Sequence, residues 1–195
     1  MKIKQRQSLI TFRYFLKIFL IVTFPLHIWA LLMIFRDFES VSERTVLWDG
    51  IGYAGYSLIF TLVESLGIAL VVWLLSLLLP RDWENQRAIN IAGSLYMILA
   101  GASIVDMAFH AFSEARISRQ YLHGLETYPS LTNSLIAGAI LLFSALIIML
   151  VLRSKKIEHL LTEFYDRIML LSYLYLALDV MGIALVIVRN ISAQV

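Results

Sequence analysis

Three carboxyl groups and two imidazoles stand inside stretches that are otherwise apolar: Glu64, Asp106, Asp179, His27 and His110. A charge at the centre of a bilayer costs about 2.5–3.5 kcal/mol on insertion scales, so such groups are functional candidates by default. Glu64 and Asp179 fall near the middle of their stretches, at similar depth. Two carboxyls brought together there could share one proton, because two bare charges side by side repel strongly in a low dielectric. That chemistry suits proton coupling or cation transport. The plainer reading, and the preferred one for each carboxyl taken singly, is a neutral acid hydrogen-bonded to a hydroxyl or carbonyl of a neighbouring helix. Tyr53, Tyr56, Ser57, Thr61, Ser65, Tyr173 and Tyr175 supply such hydroxyls.

Asp106, His110 and Glu114 are spaced by four residues, which puts all three on one face of a helix. With His123 from the following connector they could hold a divalent metal through imidazole and carboxylate ligands. A solvated helix end or a simple Asp–His hydrogen bond is the more ordinary outcome of the same spacing. Haem is discounted, since two axial histidines must sit at one depth. His27 and His110 differ by roughly 10 Å along the membrane normal at 1.5 Å per residue. No cofactor is expected. The chain has no cysteine, which removes disulfides, thiolate metal sites and iron–sulfur clusters. No nucleophile motif, phosphate loop or H-E-x-x-H occurs, and the connectors are too short to hold an aqueous catalytic domain.

The elements that must position these groups are membrane spans. Apolar residues make up 60% of the 195 and charged residues 15%, against about half and about a quarter in an ordinary soluble domain. The mean hydropathy is +0.80. No Asp, Glu, Lys or Arg occurs from Ile18 to Phe35, from Ala88 to Val105 or from Thr127 to Leu152. A helix needs about 20 apolar residues to cross the hydrocarbon, and helix is dictated because unpaired backbone groups in lipid cost several kcal/mol each. The pattern predicts an all-α integral membrane bundle of five transmembrane helices in one domain, at about 12–35, 51–79, 88–112, 134–152 and 168–188. The first run is longer than a secretory signal and has bulky residues where cleavage would fall, so it reads as a retained helix.

Between the fourth and fifth spans, residues 153–167 form an amphipathic helix that either lies on the membrane surface or extends a span into the aqueous phase. Ile157, Leu160, Leu161 and Phe164 recur at three- and four-residue spacing among Lys155, Lys156, Glu158 and Glu163. These four apolar residues and the outer connectors are candidate docking surfaces for a partner. The basic residues set the orientation. With the N-terminus inside, eleven of the sixteen lysines and arginines lie on the inner side, including Lys2, Lys4, Arg13, Lys17, Arg87 and Arg153. The topology is therefore N-inside and C-outside, in a plasma membrane. No basic face is available for nucleic acid.

The layout resembles the N-terminal membrane region of lipoteichoic-acid-synthase-type and related sulfatase-like proteins. The pieces that carry the resemblance are Leu79-Pro80-Arg81-Asp82-Trp83 after the second span, Asp106-x₃-His110 late in the third, and Leu152-Arg153-Ser154-Lys155-Lys156 before the fifth. In those proteins an extracytoplasmic metal-dependent domain follows the last span, so the resemblance implies an anchor without its enzyme or a stand-alone relative that works with a partner. Together these readings point to a non-catalytic scaffold, anchor or accessory subunit that sits in the lipid bilayer and docks a protein partner or further copies of itself. The rival is a small proton- or cation-coupled transporter using Glu64 and Asp179, and a membrane enzyme on the Asp106, His110 and Glu114 face stands third.

Overall fold

A computed structural model describes residues 12–44, 46–80, 83–112 and 129–192. They form five helices: α1 (Phe12–Arg44), α2 (Leu47–Ser76), α3 (Asn85–Phe112), α4 (Pro129–Arg153) and α5 (Lys155–Ser192). All five are long and apolar enough to cross a membrane. At 1.5 Å per residue, α1 and α5 run about 50 and about 57 Å, well beyond a hydrocarbon core of about 30 Å. The amphipathic segment is accordingly no separate element. It is the first four turns of α5, continuous with the last span.

Interhelical hydrogen bonds fix the directions of travel. The Ser172 hydroxyl donates to the Leu20 carbonyl at 2.6 Å, and Asp179 meets His27 at 2.9 Å. Both pairs are offset by 152 residues, so α1 and α5 run parallel and keep register over two turns. Along α3 and α5, Arg87 pairs with Glu158, Asn90 with Thr162, and Ser94 with Tyr165. These offsets stay at 71 or 72, again parallel. Helix α2 runs the other way, with Asp49 on Arg189 and Gly55 on Gly182. Odd-numbered helices pointing one way and α2 the other is what serial crossing of a bilayer requires.

Helix α1 is the centre of the bundle. Every residue from Ile18 to Thr23 is buried, more than one full turn, so no face of α1 meets lipid at that level. Half of its most apolar window is buried, against 6% for α4. Helix α4 thus packs at the edge, against α3 and α5, with Leu141, Leu142 and Phe143 turned outward.

Polar side chains and glycines hold the helices together, as expected where lipid removes most of the hydrophobic drive for association. At the basic end Arg87 grips Glu158 through Nε and Nη2, at 3.2 and 2.9 Å. One turn on, the fully buried Asn90 donates to the Glu158 carbonyl and the Thr162 hydroxyl and accepts from Gln86. Lys17 donates to Gln86 at 3.1 Å, which brings α1 into the same cluster. At the opposite end Gly55 and Gly182 face each other. A Cβ built on either would lie 3.2 Å from the other's carbonyl oxygen, so the backbones of α2 and α5 touch. The Arg189 guanidinium lies across Gly52 and reaches Asp49 at 2.6 Å.

Candidate functional site

His27 stands two turns beyond Leu20 on α1, and Asp179 two turns beyond Ser172 on α5. The parallel register described above therefore delivers the two side chains to each other in the interior. They are 0% and 1% exposed. Nε2 of His27 lies 2.9 Å from Oδ1 of Asp179, and Nδ1 lies 2.9 Å from the Thr23 carbonyl. The Tyr175 ring, one turn before Asp179, stacks on the imidazole with centroids 5.4 Å apart and planes 8° apart. Thr23 turns its own hydroxyl back to the Phe19 carbonyl.

This geometry constrains the protons. A backbone carbonyl only accepts, so Nδ1 must carry a hydrogen and donate it to Thr23. Nε2 then has two options. It carries a second proton and donates to an ionised Asp179, or it is bare and accepts from a neutral carboxylic acid. In either state one proton sits between Nε2 and Oδ1, and the couple as a whole has no net charge. A neutral, internally paired couple is the form in which lipid-depth burial costs least. Its chemistry is that of an interhelical tie built on one shared proton. Oδ2 of Asp179 and Oγ of Ser65 are buried with no hydrogen-bond partner among the described residues.

The other sequence candidates fall elsewhere. Glu64 is exposed on the outer face of α2, and no hydrogen bond among the described residues reaches it. The shared-proton pair of Glu64 and Asp179 is therefore not formed. Similar depth does not place two groups on facing sides of their helices, and Asp179 is taken by His27. Asp106 is also exposed, on α3. The His110 side chain, Glu114 and His123 lie outside the described residues, and among the described residues no three His, Asp or Glu groups converge on one point. The proposed docking residues divide. Ile157 and Leu161 are half-buried, and Leu161 packs against the core, whereas Leu160 and Phe164 are exposed. The inward column continues to Tyr165 and Ile168, both buried.

Sequence reasoning does not find the His27–Asp179 couple, although both residues stand inside apolar stretches. Nor does it find the Asn90, Ser94 and Ser172 ties, for which a polar residue within an apolar run is the available signal. The outer face of α2 carries a second feature. Phe60, Val63, Leu70, Val71 and Leu74 are exposed on one side of that helix, and Glu64 and Gly67 lie in the middle of it. A Cβ on Gly67 would meet no described atom within 4 Å. Compared with known proteins, the chain matches no family model, no curated protein and no solved structure.

Proposed function

We propose that this five-helix polytopic membrane protein is a non-catalytic scaffold, anchor or accessory subunit that docks a partner inside the bilayer through the outer face of α2. The observation that carries the reading is Glu64. It is 12 residues from the end of α2 at Ser76, about 18 Å along the axis, and so lies deep in the hydrocarbon, exposed on the outside of the bundle. Lipid satisfies the valines and leucines around it but not a carboxyl. A second protein surface does, by offering a hydrogen-bond donor. Gly67, one turn away, leaves the close approach that such helix pairs use.

The absence of cysteine makes the test clean. Single cysteines are introduced by Gly67→Cys and, as a control on lipid-facing α4, by Leu142→Cys. Both are cross-linked in native membranes and the adducts identified by mass. A discrete adduct at position 67 and none at 142 is expected, its mass separating a second copy from a different protein. Glu64→Leu should abolish that adduct. Equal labelling at both positions, or an adduct that survives Glu64→Leu, would overturn the reading.

A further inference from the structure

At the basic end, a cavity of about 430 Å³, open on one side, lies between α1 and α5. That volume lies within the roughly 300–1,000 Å³ of small-ligand sites. Leu16, Leu20, Met169 and Leu170 form its apolar wall, and Arg13, Lys17, Asp166 and Tyr173 supply the polar groups. Arg13 and Lys17 are one turn apart on the same side of α1. The Lys17 ammonium donates to Gln86 and keeps two further N–H groups. Arg13 has no ion-pair partner among the described residues, and neither has Asp166. Two cations against one carboxylate leave the cavity one positive charge in excess.

The wall continues from Arg13 to Leu20, about 10 Å along the helix at 1.5 Å per residue. It therefore leads from the level of the charged groups into the hydrocarbon. A soluble anion would use only the mouth of such a site. A glycerophospholipid uses both parts, with its phosphate on Arg13 and Lys17 and the start of an acyl chain along Leu16, Leu20 and Leu170. We infer that the α1–α5 cavity is a binding site for an anionic glycerophospholipid of the leaflet that faces the basic end. Basic pockets between membrane helices on that side are suited to anionic headgroups, which are enriched there. Asp166 opposes a second negative charge, so a lipid with one net negative charge fits better than one with several.

The test is native mass spectrometry of the full chain released from micelles. The micelles are doped with phosphatidylglycerol or phosphatidylcholine of identical chains, with inorganic phosphate as a competitor. The wild type should retain phosphatidylglycerol about fivefold or more over phosphatidylcholine, and Arg13→Gln should cut that preference about fivefold, the worth of one basic group at a membrane surface. Leu170→Trp changes no charge and starts from an exposed side chain, so it should fold normally. It should lower retention of phosphatidylglycerol by obstructing the acyl path. Lys156→Gln, at the same end but away from the cavity, should leave retention unchanged. Equal retention of both lipids would overturn the proposal. So would a loss with Lys156→Gln as large as with Arg13→Gln, or full displacement by inorganic phosphate, which would mark a simple anion site.

Discussion

Removing either member of the His27–Asp179 couple tests whether it acts as a neutral tie between α1 and α5. In soluble proteins, breaking a buried charged pair by deleting one partner costs about 3–5 kcal/mol. Hydrogen bonds between membrane helices average about 0.6 and reach about 1.7 kcal/mol, because the unfolded chain stays in the apolar phase and finds other partners. The second scale governs here, since both groups lie at lipid depth. Asp179→Ala loses one bond and strands Nε2, for about 1–2 kcal/mol. His27→Ala loses two bonds, at 2.9 Å each, and also the stack on Tyr175, worth about 0.5–1.5 kcal/mol more. Its total is about 2–3 kcal/mol. Asp179→Asn differs in kind. Its amide donates to a bare Nε2 while Nδ1 keeps its bond to Thr23, and the site stays neutral, so the loss should stay within about 0.5 kcal/mol.

At about 2–4 °C per kcal/mol for a chain of this size, the expected falls in midpoint are about 4–12 °C for His27→Ala, about 2–8 °C for Asp179→Ala and at most about 2 °C for Asp179→Asn. Intrinsic fluorescence of the four tryptophans reports unfolding in a single detergent. One fixed scan rate is used throughout, because membrane proteins seldom refold after heating. A double substitution, His27→Leu with Asp179→Leu, should cost less than the two single leucine changes combined, by about 0.5–3 kcal/mol. If Asp179→Asn melts as early as Asp179→Ala, or if the double change is additive, the neutral-tie reasoning fails.

The polar cluster at the basic end and the glycine crossing at the other make two further predictions. Asn90→Leu removes bonds to Gln86, Glu158 and Thr162, and should lower the midpoint by about 2–8 °C at about 1–2 kcal/mol, whereas Lys155→Gln on the exposed side of α5 should leave it unchanged. Gly182→Leu places a side chain against the Gly55 carbonyl and Leu58 and should separate α2 from α5. Cysteines at those two helices' ends, Asp49→Cys with Arg189→Cys, should then lose cross-linking by a short bifunctional thiol reagent, while Gly101→Leu, which faces no described atom within 4 Å, should leave the cross-link intact.

How much of this could be read in advance follows from what a bilayer demands. The five helices were legible because lipid admits only helices and closed barrels as spanning backbone, because the apolar stretches lack the period-two alternation of a barrel, and because three of them run about 18 residues or more without a charge. Their packing faces were not. In water an apolar stripe marks the inward side of a helix, but in lipid the outward side is apolar too, and hydropathy alone leaves rotation about the helix axis open. That is why equal depth suggested Glu64 for Asp179 when the partner was His27. Only the segment 153–167, with charges between its apolar positions, displayed an inward column in the sequence. Ile157 and Leu161 keep it, while Leu160 and Phe164 belong to the neighbouring, exposed column.

Glu64 and Asp179 also show how burial separates two chemically similar groups. Asp179 is enclosed and shares a proton with an imidazole across a parallel, in-register pair of helices, so it contributes to the coherence of one chain. Glu64 makes no hydrogen bond or ion pair among the described residues and is exposed on α2. If the bundle were complete in itself, replacing Glu64 by leucine would relieve a lipid-exposed carboxyl of about 2.5–3.5 kcal/mol at no structural loss, and the chain would be more stable for it. Docking through α2 gives that carboxyl a partner outside the bundle, which is why it, rather than passage of an ion between the two carboxyls, is the reading to test first.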